Sequence, residues 1–244
     1  MRSAIFFIAF LLVPFLNYSQ SYAFGVKGGL TTSFQKWNNF ERDPLFAYHA
    51  IAFIESAPED NAFAVFAQAG YHVKGSAIRN RNFVNPINGD IFRPPTRKFE
   101  FRNISLTLGG KQKYDWGVNN KFYYLFGFRG DYTINTNFDE YRSINDALNT
   151  LFYPIDEFVR RWNYGATVGG GAEFPVSDYI SVIIEFTVNP DFSRQYFQPP
   201  VQNVFDPYTG QSRTLRETEI RNVTFEVSVG LRFLHEIEYI DVQF

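Results

Sequence analysis

An all-β fold is predicted for this 244-residue chain: an eight-stranded antiparallel up-and-down transmembrane β-barrel with long extracellular loops and short periplasmic turns. Three observations carry the prediction. Segments of about ten to fifteen residues, enough to cross a membrane when tilted, alternate apolar and polar side chains. The links between them alternate short and long, and the N-terminus has the layout of an export signal. Side chains on a strand point alternately to opposite faces, so a period of two gives one greasy and one polar face. A membrane barrel turns the greasy face to lipid and keeps the charges inside.

Composition agrees and narrows the functions. The chain has 29 Phe and 15 Tyr, an enrichment that suits strands and membrane interfaces. A formal net charge of -2 leaves no basic footprint, so nucleic acid is not an expected partner. With no cysteine, disulfides, thiolate catalysis and cysteine-ligated metals are excluded. Arg2 followed by the apolar run 4–16, too short to span a bilayer as a helix and containing Pro14, reads as a signal peptide. The expected division is residues 1–20 as signal, with cleavage between 19 and 23, and residues 21–236 as the barrel. Residues 237–244 form a periplasmic tail or extend the last strand. There Ile240, Val242 and Phe244 alternate, similar to the C-terminal signal read by the barrel-assembly machinery. The expected destination is the cell outer membrane.

The strands follow in order. Residues 22–34 set Phe24, Val26, Leu30 and Phe34 against Lys27, Thr31 and Ser33. Residues 45–55 are apolar on both faces, so their register stays open. Residues 63–75 set Phe63, Val65, Tyr71 and Val73 against Gln68, His72 and Lys74. In 98–113, Phe99 and Phe101 give way to Ile104, Leu106 and Leu108, and an extra residue near Arg102–Asn103 would restore the facing as a β-bulge. Residues 121–135, 161–174 and 179–189 alternate in the same way. The clearest case is 221–233, with Val223, Phe225, Val227, Val229, Leu231 and Phe233 on one face and Glu226 and Arg232 on the other. Eight is the smallest even number at which such barrels close.

Short links fall at 56–62, 115–120 and 175–178, and longer ones at 35–44, 76–97, 136–160 and 190–220. Asn88-Gly89 is a hairpin turn pair, so the second long loop should project as a short ribbon, and 206–211 looks like the turn of another. Residues 144–151 and 155–161 have helical character, with Asp146 able to cap the first.

The polar face is predicted to hold Lys27, His72, Lys74, Glu100, Arg102, Lys111, Arg129, Asp131, Glu173, Glu185, Glu226 and Arg232. An eight-stranded barrel is just wide enough for side chains to fill. Buried charges must pair, so this mixture reads as a structural ion-pair network plugging the lumen, with a proton or ion path as the alternative. Lys27 and Glu226 are expected at similar depth, and Arg129 and Asp131 are expected to face Glu100 and Arg102. A lipid-modifying enzyme would need a His near a Ser and an acid at the lipid-facing rim. Of the histidines, His72 faces inward, His235 is at the periplasmic end, and His49 has no obvious serine partner; the three show no metal-ligand spacing, so no catalytic residue, metal or cofactor is expected.

At Gly25-Val26-Lys27-Gly28-Gly29-Leu30, and in the organisation of its strands, the chain resembles the small outer-membrane β-barrel proteins of Bacteroidetes, grouped as PorT-like or under an outer-membrane β-barrel domain name. That resemblance implies a non-enzymatic barrel embedded in outer-membrane lipid. It also implies an accessory place in type IX secretion and gliding, with secretion-system proteins as partners. The competing expectation is a surface adhesin or receptor that works through the long loops; a lipid-modifying enzyme ranks third.

Overall fold

The computed structural model describes residues 21–37, 42–57, 62–79, 82–84, 89–93, 95–117, 119–148, 153–205 and 210–235. The expected signal peptide and the 237–244 tail lie outside the described residues. In chain order the strands are β1 (Tyr22–Trp37), β2 (Asp43–Ser56), β3 (Phe63–Ile78), β4 (Phe83–Val84), β5 (Ile91–Phe92), β6 (Arg97–Trp116) and β7 (Asn120–Thr136). They continue with β8 (Trp162–Ser177), β9 (Ile180–Pro190), β10 (Tyr196–Gln198), β11 (Val201–Phe205), β12 (Ser212–Leu215) and β13 (Thr218–His235). A short helix spans Arg142–Leu148. No helix among the described residues is long and apolar enough to cross a membrane.

Eight long strands pair in the order β1-β2-β3-β6-β7-β8-β9-β13, every neighbour antiparallel, and β13 returns to β1. The closing register runs unbroken from Tyr22↔His235 to Trp37↔Ile220. Closure leaves no open sheet edge, which is what a backbone surrounded by lipid requires. The links 57–62, 117–119 and 178–179 gather at one end of the ring and the longer connections at the other.

The two faces differ as a membrane barrel demands. Leu30, Leu106, Phe128, Ile184 and Val229 are exposed on the outside of the wall. Exposed aromatics ring both ends: Tyr22, Phe24, Tyr114, Trp116 and Tyr179 at the turn end, and Phe46, Tyr48, Tyr132, Trp162 and Tyr164 at the loop end. Such girdles sit where headgroups meet hydrocarbon. The open register of β2 is settled: Leu45, His49, Ile51, Phe53 and Glu55 are buried, while Phe46, Tyr48 and Ile54 face out.

At the loop end the chain builds a second core. Phe99, Phe101, Phe138, Tyr141, Tyr153, Tyr196 and Ile220 are buried together, with Trp37, Ile144, Phe158 and Val159 packed against them. The strand β10 lies on β13, and β4–β5 and β11–β12 form the two ribbons. The expected turn residue Asn88 and residues 206–209 are outside the described residues. Two expectations about this end change. Asp146 lies within the helix Arg142–Leu148 and not at its start. The bulge is on β7, not on β6: Arg102 pairs with Asn135 and Asn103 with Thr133, leaving Ile134 as the extra residue, so Ile134 and Asn135 are both exposed. β6 keeps one parity throughout, and its Phe99 and Phe101 point inward because a loop-built core awaits them above the polar lumen.

Candidate functional site

The inward face of the ring is a column of charged and polar side chains, stacked in levels from the turn end upward. At the bottom, Glu55 of β2 accepts from three cations: Lys111 and Lys113 of β6 at 2.7 Å each and Arg232 Nε of β13 at 2.7 Å. Glu173 of β8 takes Lys113 at 3.2 Å and Arg232 Nη1 at 2.9 Å. One level up, Lys27 of β1 pairs with Glu185 of β9, whose other oxygen accepts from the Tyr123 hydroxyl at 2.9 Å. The Lys111 ammonium also lies 4.3 Å from the centroid of the Tyr123 ring, a cation–π contact. The gap lined by Lys27, Phe53, Phe66 and Glu185 admits no water-sized sphere.

The middle level is built on histidines. His72 Nδ1 is 2.7 Å from Glu226, and His49 bridges Thr31 Oγ1 at 2.9 Å and Ser228 Oγ at 2.8 Å. The two imidazoles stack with centroids 5.7 Å apart. Above them, Lys74 reaches Asp131 at 2.6 Å and Asp191 at 3.1 Å. Arg129 lies 3.2 Å from Asp131 and 2.7 Å from Asp191. A final layer of neutral groups joins this to the aromatic core: Ser76 donates to Gln35 at 2.6 Å, Gln35 to Asn222 at 2.8 Å, and Gln195 to Asn103 at 3.0 Å. The polarity therefore fades in steps, from full charge to amides to rings.

Among the described residues the buried charges match one for one, with Lys27, Lys74, Lys111, Lys113, Arg129 and Arg232 against Glu55, Asp131, Glu173, Glu185, Asp191 and Glu226. Of the residues expected in the lumen, Glu100 and Arg102 are not there. They point out of the wall near the loop end, 3.6 Å from each other and partly exposed, because β6 never changes parity. Two expected pairings change as well. Lys27 lies opposite Gly230 while Glu226 lies opposite Thr31, so the two are offset along the closing seam and Lys27 takes Glu185 instead. Arg129 and Asp131 lie opposite Thr107 and Ser105, and their charged partners come from β3 and from beyond β9.

Glu55, Lys113 and Asp191 complete the network without having been singled out, and His49 joins it with a serine partner, Ser228, that its strand pattern did not reveal. Lys113 shares the parity of Lys111, and Asp191 continues the count Glu185, Thr187, Asn189 past Pro190. Glu55 and His49 share a face of β2, but the second apolar face hides it. Among the described residues no group of three or more His, Cys, Asp or Glu side chains could hold a metal ion.

A closed antiparallel ring, apolar outside with two aromatic girdles and charged inside, defines an integral β-barrel of the bacterial outer membrane. The chain belongs to the outer membrane protein beta-barrel domain family, which matches residues 18–194. It is a protein of the outer membrane, and by the rule for such barrels its short turns are periplasmic and its long loops external. Among solved structures it is similar to Neisserial surface protein A, at 9% identity over 88% of this chain and 97% of that one, TM-score 0.48. It is also similar to OprG from Pseudomonas aeruginosa, at 9% identity over 89% and 98%, TM-score 0.47. The N-terminal barrel domain of Pseudomonas aeruginosa OprF matches at 9% identity over 89% and 98%, TM-score 0.44. No curated protein matches the chain closely enough to count as a relative.

Proposed function

We propose that this chain is a non-enzymatic structural or accessory component of the cell envelope, a plugged barrel that carries a fixed external platform. The observation behind the reading is the lumen, where buried charges match one for one and the gap at the Lys27–Glu185 level admits no water-sized sphere. Buried ion pairs of this kind favour one arrangement of the wall over conduction through it. The nearest thing to a catalytic pair, His49 with Ser228, is buried between the Lys27–Glu185 and Lys74–Asp131 levels, away from the rim where a lipid substrate would lie. That placement supports a role without catalysis. The resemblance to PorT-like barrels of Bacteroidetes supports service beside a secretion machine, with insertion by the barrel-assembly machinery. Deleting the gene and comparing secreted and surface proteins tests this: loss of a defined set of exported proteins, restored by complementation, is expected, and an unchanged set would overturn the secretion role.

The loop-built core favours a second reading, an adhesin or receptor. Phe99, Tyr141, Tyr153 and Tyr196 fix the external segments to the barrel top, which gives a preformed surface. Replacing residues 138–160 by a short Gly/Ser linker should then abolish surface attachment while leaving the barrel folded.

A further inference from the structure

Lys36 and Arg221 are directly opposite on the closing seam between β1 and β13, and both point out of the wall. Like charges in that relation repel. Neither makes an ion pair or hydrogen bond with any described residue. Their depth is set by the rings below them: Phe34 meets Phe225 edge-on at 5.6 Å, and Phe225 stacks on Phe186 at 6.3 Å. This aromatic ladder belongs to the outer girdle, and Lys36 lies two residues beyond Phe34, about 7 Å along the strand. That is headgroup depth in the outer leaflet. Two more cations lie on the β10 side of β13, for Arg160 and Arg194 are each 5.3 Å from the Phe197 ring, and Glu219, opposite Phe197 and two residues from Arg221, is held by Arg194 at 2.7 Å. At the periplasmic end, by contrast, Lys121 is the one cation outside the lumen among the described residues.

We propose that Lys36 and Arg221 form a docking site for the phosphate of an anionic outer-leaflet lipid, whose headgroup bridges the two cations and removes their repulsion. An ammonium supplies a point charge and a guanidinium a fork, a combination suited to a phosphate oxygen cluster. The acyl chains of such a lipid lie along the exposed Leu30, Val227 and Val229.

The test is native mass spectrometry of the detergent-purified protein titrated with diphosphoryl lipid A, its dephosphorylated counterpart, or inorganic phosphate. Wild type should bind the phosphorylated lipid at least tenfold more tightly than the Lys36→Gln/Arg221→Gln variant, while Lys121→Gln binds as wild type. Lys36→Glu supplies an independent arm: it should raise the unfolding temperature in lipid-free detergent, by relieving the repulsion, and lose the further rise that the lipid gives wild type. Equal binding by the double variant, or no preference for the phosphorylated lipid, would overturn the proposal. Equal protection by inorganic phosphate would overturn the lipid as its source.

Discussion

Glu55 is the residue on which most of the lumen's lower half converges. Three cations share its two oxygens, and Glu173 takes up what remains. Removing one partner from a buried pair leaves an uncompensated charge, which costs about 3–5 kcal/mol. Glu55→Gln should therefore lower stability by that order in urea unfolding followed by Trp fluorescence. Glu226→Ala should also destabilise, by stranding His72 beside His49. At the loop end, burial among rings pushes the Tyr196 hydroxyl pKa up, and that hydroxyl donates to Gln198 Oε1 at 3.3 Å. The neutral form is the one the fold favours. Its contribution is intact below the ordinary tyrosine range, about pH 10, and is lost as pH rises through the raised value. Tyr196→Phe should flatten that alkaline fall in the unfolding temperature. Single residues were legible where the strand was two-faced: Glu226 and Arg232 sit in strict alternation and land inside. Glu55 was not, because Phe46, Tyr48 and Ile54 face lipid while Ile51 and Phe53 face a lumen that is itself partly apolar. Glu100 and Arg102 were misplaced because Phe99 and Phe101 look lipid-facing to any reading that lacks the external core.

At the scale of elements, the wall is shaped by where it lacks side chains. Gly169 and Gly171 of β8 face inward, and a Cβ on Gly171 would lie 2.6 Å from the Tyr123 hydroxyl oxygen and 2.5 Å from the Ile184 carbonyl. The glycine run is thus the hollow into which Tyr123 fits to reach Glu185. Gly171→Ala should cost about 1–3 kcal/mol by overpacking, read as a lowered unfolding temperature, whereas Gly130→Ala, with nothing within 4 Å of its Cβ and no positive φ, meets no clash. The eight long strands were legible because period-two alternation is local. The bulge at Ile134 and the core of Phe138, Tyr141 and Tyr153 were not, since both depend on partners far along the chain.

For the molecule as a whole, the balance of charge explains how a narrow barrel can bury so many ionised groups. The six cations and six carboxylates balance over the column as a whole, the extra cation of the bottom level offsetting Glu226 in the middle one, and the column is closed above by amides and rings. The external end is anchored by its own aromatic core, and we propose that the barrel's contacts lie with lipid and with partners of the loops, not with a solute passing through. This central claim is tested most directly by conductance of the refolded protein in planar bilayers. The ion-pair column predicts an insulating wild type with no stable open steps; steady, long-lived channel openings would contradict it.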